Sequence, residues 1–171
     1  MIFTKKMCRK FPLLFANRDD FHLECGEGWH DLIWELCEKL EPLLKQELAE
    51  NPASDCAHCG HSYDVHACKS PNRKQGRCLA ILNVEPPSTN YIACCCDQWQ
   101  PNLPYVTQIK EKFGGLRFYT SNSSSAKFYA HIAAAEQQSF VTCENCAQPG
   151  DSIMRRGWLV TLCDECANQV T

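Results

Sequence analysis

The chain has 171 residues, 44% of them hydrophobic, with 17 basic against 20 acidic side chains and a formal net charge of −3. Four thiolates on one dication would add about −2 more, so bulk attraction to nucleic acid is not expected and any such role needs a local patch. Fourteen cysteines suit either a secreted disulfide scaffold or intracellular metal sites.

The N-terminus argues against secretion. Lys5, Lys6, Arg9 and Lys10 are followed only by FPLLFA before Asn17, Arg18, Asp19 and Asp20, which is too short for a signal-peptide core. No segment reaches the length of a membrane span. The expectation is a protein of a reducing cytoplasm, with thiols free to bind metal. Residues 1–55 carry most of the acidic excess, whereas the middle is slightly basic through Lys69, Arg73, Lys74 and Arg77.

Between 28 and 40, Trp29, Leu32, Ile33, Leu36, Cys37 and Leu40 recur at three-and-four spacing, with Asp31, Glu35, Glu38 and Lys39 opposite. This is an amphipathic helix. Pro42 suits the first turn of a second helix, where Leu43, Leu44 and Leu48 continue an apolar stripe to about Glu50 before Asn51 and Pro52 stop it. Cys8, Cys25 and Cys37 lack a CxxC partner and read as small buried hydrophobes.

Residues 55–101 are polar, proline-rich and poor in large apolar side chains, so they need a staple. A structural zinc supplies an apparent ~10–16 kcal/mol in peptides. Cys59, His66, Cys78 and Cys96 are the first candidates, with Cys56 and Cys94 next; a second ion sharing thiolates would need closely matched geometry. On an extended segment Cys94 and Cys96 face one side and Cys95 the other. His61, Cys68 and Cys95 read as bystanders.

The segment TQIKEKFGGLRFYT predicts a hairpin turning at Gly114 and Gly115, both able to take positive φ. Phe113 would then oppose Leu116 on a buried face extended by Ile109 and Phe118. Lys110, Lys112, Arg117 and Tyr119 fall on the other side, as a solvated sheet face or a short track for a phosphate backbone. A helix follows over about 124–139, with Phe128, Tyr129, Ile132 and Ala135 on one face and Ser124 or Ser125 as its cap.

The chain ends in CENCAQPGDSIMRRGWLVTLCDECANQV. Cys143 and Cys146 form one CxxC pair, Cys163 and Cys166 another, and the sixteen residues between them allow a hairpin that returns the second pair to the first. That spacing predicts a tetrahedral zinc site. GWLVTL reads as a strand and the last pair as the start of a short terminal helix, a treble-clef or ribbon layout. Four thiolates leave no open position for water or substrate, so the ion is structural. Arg155 and Arg156 are either partner contacts or ordinary solvent-facing residues.

ECGEGW with its helix, VTQIKEKFGGLRFY, the alanine-rich helix and CENC with GWLVTLCDEC together resemble a family of small proteins from bacteriophages and prophages, over residues 24–50 and 105–168. The resemblance implies that Cys143, Cys146, Cys163 and Cys166 ligate zinc; the last position is often histidine in similar sequences. The insert separately resembles small CGHxxxxH zinc modules, through Cys59, His61 and His66 with Cys94–Cys96 and Trp99.

The expected whole is an α+β protein, a small antiparallel sheet or hairpin packed with two or three helices, carrying two zinc-stabilised modules and about two zinc ions. Its parts are 1–54, 55–101, 102–142 and 143–171. Enzyme readings fare poorly: CDECANQVT has no histidine, His22, His30 and His131 are isolated, the insert offers no convincing acid or base beyond Asp64, and no nucleophile elbow or phosphate loop is present. The expectation is a non-enzymatic protein that binds a macromolecule of a bacterial host, a protein first. Inhibition of a host defence or housekeeping system would suit it. The alternative is a nucleic-acid-binding module using Lys69, Arg73, Lys74, Arg77, Lys110, Lys112 and Arg117.

Overall fold

The computed structural model describes residues 2–15, 21–50, 81–82, 92–93, 103–121 and 124–169. In chain order they form α1 (Ile2–Lys10), β1 (His22–Glu24), a 3-10 turn (Glu27–Trp29), α2 (His30–Glu50), β2 (Ile81–Leu82), β3 (Ile92–Ala93), β4 (Val106–Lys112), β5 (Gly115–Thr120), α3 (Ala126–Ser139), β6 (Asp151–Arg155), β7 (Trp158–Leu162) and α4 (Asp164–Gln169). Met1–Lys45 with Pro104–Thr171 make one compact unit and Gln46–Leu103 another. In the second, β2 pairs antiparallel with β3, Ile81 opposite Ala93 and Leu82 opposite Ile92.

The expected break at Pro42 does not occur; α2 is one helix with Pro42 inside it. A mid-helix proline loses a hydrogen bond and crowds the preceding turn, at ~3 kcal/mol or more. Burial offsets this, because Ile33, Leu36, Leu40 and Leu44 form one unbroken stripe at 0–2% exposure. Fully burying each such side chain contributes about 1.5–3 kcal/mol. Glu41, next to the proline and 3% exposed, accepts hydrogen bonds from the backbone N–H groups of Leu13 and Leu14 at 3.3 and 3.0 Å. It thereby ties the segment after α1 to α2. Met7, Leu14 and Phe15 are fully buried in the same unit.

The three-stranded sheet runs β1-β4-β5 and is mixed, not purely antiparallel as expected. β1 lies parallel to β4, with Leu23 opposite Ile109, while β4 and β5 form the antiparallel hairpin. The hairpin register pairs Lys112 with Gly115, so the two turn residues are Phe113 (φ 55°) and Gly114 (φ 72°), one place earlier than expected. Leu116 consequently opposes Glu111, and Phe113 is 67% exposed instead of buried. The reason lies at Gly115, where a Cβ would collide with the ring of Phe140. That glycine is needed for close approach within the strand, which leaves Phe113 the left-handed turn position.

Ile109, Leu116 and Phe118 form the buried face, as expected. Helix α3 closes the free edge of β5. Its Ser139 Oγ accepts from Leu116 N at 2.8 Å and its Glu136 Oε1 from Phe118 N at 3.0 Å, so donors that an edge strand leaves open are satisfied by side chains. Ser125 caps α3 by accepting from Phe128 N at 3.2 Å. Phe128, Ile132 and Ala135 are buried, but Tyr129 is 41% exposed and falls off the expected apolar face. The observed architecture is α+β.

Candidate metal centre

After α3 the chain passes from Thr142, bridged to Pro149, into the first knuckle. Cys143 N donates to Gln148 O at 2.8 Å and Ala147 N to Cys143 O at 3.0 Å. Ala147 takes a left-handed φ of 65°, which turns the chain back behind Cys146. The β6–β7 hairpin, with Asp151 opposite Leu162, then carries Cys163 back beside Cys143. Helix α4 opens on the second pair, with Cys166 N donating to Cys163 Sγ at 3.4 Å and Ala167 N to Cys163 O at 2.8 Å.

All four sulfurs lie within 4.8 Å of one another, and Cys146 Sγ is 3.5 Å from Cys163 Sγ. Zinc–sulfur bonds of about 2.3 Å in a tetrahedron separate sulfurs by about 3.8 Å, so the quartet has the size of a zinc cage. The four cysteines are free thiols. Burial alone would push the Cys143 thiol up, but backbone N–H groups of Cys163, Asn145 and Cys146, with the Cys146 side chain, bring it down to about 7. Cys146 is drawn down by the Gln148 N–H yet ends raised, chiefly by the neighbouring Cys163 sulfur. Cys166 is raised by the sulfurs of Cys146 and Cys163. Four sulfurs this close resist shared ionisation, and a dication removes that resistance. The donor set therefore fits a thiophilic divalent ion.

The knuckle is held by the rest of its unit. Gly28 N donates to Glu144 O at 2.8 Å, and Trp29 Nε1 donates to Thr142 O at 2.7 Å. A Cβ on Gly26 would strike the Glu144 carbonyl, and one on Gly28 would strike the Cys143 carbonyl and the amides of Cys146 and Ala147. The GEGW string thus seats backbone on backbone. From the other side, Glu144 N donates to Thr161 O at 3.0 Å and Thr161 Oγ1 donates to Gly114 O at 2.6 Å. The cysteine cage, the GEGW turn and the β4–β5 turn are one connected assembly.

Cys143, Cys146, Cys163 and Cys166 are the one group of three or more metal-ligating side chains among the described residues. Cys56, Cys59, His66, Cys78, Cys94 and Cys96, with Lys69, Arg73, Lys74 and Arg77, lie outside the described residues. Cys8 and Cys37 are buried. Cys25 is half-buried, and burial, followed by the Glu144 charge, pushes it up to about 12, so it stays a thiol beside the knuckle. His30 stacks on Phe3 with ring centroids 4.0 Å apart. Burial lowers its pKa first, against the opposing pull of Glu27 and Asp31.

Lys110, Lys112, Arg117 and Tyr119 share the sheet face opposite Ile109 and Phe118, as their register requires. The sequence alone gives Gly26, Gly28, Ser139 and Thr161 no role. Only the glycine pair in GEGW left a local signal. No family model, no curated protein and no solved structure matches the chain.

Proposed function

We propose that the chain is a non-enzymatic, phage-like protein whose C-terminal zinc is structural and which works by binding a macromolecule of a bacterial host, a host protein first. The closed thiol quartet carries this reading: four sulfurs satisfy a tetrahedral ion, leaving no coordination position for substrate. A second zinc in the insert, held by Cys59, His66, Cys78 and Cys96, with Cys56 and Cys94 as the next candidates for a place among the four, belongs to the same proposal, as do the bacterial cytoplasm and an anti-defence role. No helix among the described residues is long and apolar enough to cross a membrane.

A protein partner is favoured by large apolar side chains left in solvent on pinned elements. Met154 is 71% and Trp158 76% exposed, both on the β6–β7 hairpin that the cage anchors. Exposed aromatic and methionine side chains on rigid supports are the usual anchors of protein interfaces. The nucleic-acid reading is favoured by a separate observation, the cation-bearing sheet face.

Affinity capture from nuclease-treated bacterial lysate, with zinc-loaded chain as bait, tests the first reading. One host protein should be retained, and Trp158→Ala with Met154→Ala should release it while zinc content stays constant. Capture that disappears on nuclease treatment would move the function to nucleic acid.

A further inference from the structure

The solvent face of β4 and β5 alternates charge with aromatic rings. Lys110 Nζ lies 5.3 Å from the centroid of Tyr119, Lys112 Nζ 5.3 Å from that of Phe113, and the Arg117 guanidinium carbon 5.5 Å from that of Phe140. Lys110 and Arg117 are directly opposite in the hairpin, and Lys112 follows Lys110 on the same side. Neighbouring β1 places Glu24 beside Lys110, where it accepts from Gln108 Nε2 at 3.4 Å. Three cations against one carboxylate leave this face positive on a chain whose total charge is −3.

Phe113 is the informative outlier. The first position of a two-residue primed turn favours asparagine, aspartate or glycine, and a bulky residue with φ of 55° costs about 1–2 kcal/mol. Its ring is 67% exposed, so burial does not offset that cost. The turn that Gly115 imposes leaves an open aromatic face beside Lys112. Tyr119, at 39% exposure, offers another beside Lys110.

We propose that this face binds single-stranded nucleic acid, with phosphates on Lys110, Lys112 and Arg117 and unpaired bases stacked on Tyr119 and Phe113. The proposal rests on the nucleic-acid reading above and specifies its surface and the form of its ligand. Lys110 and Lys112 are two strand residues apart, a rise of about 6.8 Å, comparable to the step between phosphates of a stretched strand. Stacking on the exposed rings of Phe113 and Tyr119 needs bases free of a partner, which a single strand offers and a duplex does not. An acidic protein would use the three cations but gives no reason for rings placed beside them.

The test is fluorescence anisotropy on the full zinc-loaded chain, with a labelled pyrimidine oligonucleotide of about twelve residues, single-stranded and as a duplex. The single strand should bind more tightly. Raising salt from about 50 to about 200 mM should weaken it roughly twenty-fold, as three phosphate contacts on a single strand predict. Tyr119→Ala should weaken it about five- to about 150-fold through lost stacking, and Lys110→Ala with Lys112→Ala should cut the salt dependence to about a third, the share left to Arg117, with melting curves unchanged. Equal affinity for the duplex, indifference to Tyr119→Ala, or equal competition by polyglutamate would overturn this proposal while nucleic-acid or acidic-protein binding stood. Absence of binding to either form at low salt would remove the nucleic-acid reading itself.

Discussion

At single residues, the clearest feature is how much backbone rests on backbone around the thiols. Ala147 holds a left-handed φ of 65°, a conformation that penalises any residue with a Cβ by about 1–2 kcal/mol. It is exposed, so Ala147→Gly loses no packing. Greater freedom of the unfolded chain returns about 0.4–1 kcal/mol of the gain. A net stabilisation of about 0.5–1 kcal/mol is expected, seen as a higher denaturant midpoint at constant slope. Gly28→Ala should act in the opposite sense, because its Cβ would strike the Cys143 carbonyl and the Cys146 and Ala147 amides. Backbone cannot swing aside, so a loss of about 3 kcal/mol, the upper end for overpacking, is expected. A Gly28→Ala variant as stable as the parent would mean that the GEGW turn is not seated on the knuckle.

At the level of elements, the edge of β5 depends on two side chains of α3. Ser139→Ala removes the acceptor of Leu116 N and strands a buried donor, which costs about 1–3 kcal/mol. Hydrogen exchange should show this as faster exchange at the Leu116 amide than at amides in α2; unchanged exchange would argue that another group closes the edge. The helix 30–50, the helix 126–139, the β4–β5 hairpin and strand β7 were all legible, because each carries its own period within a dozen residues. Helix α1, the three-residue β1 and the uninterrupted passage through Pro42 were not. Those depend on distant partners: β1 exists through pairing with β4, and Pro42 is tolerated because Leu36, Leu40 and Leu44 stay buried together. The hairpin turn was displaced by one residue for the same reason, since only the position of Phe140 reveals that Gly115 cannot be spared from the strand.

For the molecule as a whole, the cage was the most legible site, since two CxxC pairs encode their knuckles locally; its links to Gly28, Trp29, Thr161 and Gly114 connect distant segments and left little trace. Those links determine how metal loss should spread. Chelation should disorder 143–169 and then loosen the β4–β5 turn, because Thr161 and Glu144 lose their fixed positions together. Proton competition should reproduce this without a chelator. In the metal-free fold, Cys143 lies near 7 against an ordinary 9.0, so its contribution to stability is complete above about pH 9 and is lost as pH falls through about 7. Cys146 and Cys166 are instead raised and must surrender protons to any ion that enters. Zinc affinity should consequently fall by at least about a thousand-fold between about pH 8 and about pH 6, with protons released on binding at the higher pH. Titration with a competing zinc chelator at several pH values measures this directly. An affinity flat across that range, or unchanged metal content and melting temperature in Cys143→Ser with Cys146→Ser, would mean that the thiol quartet does not carry the ion.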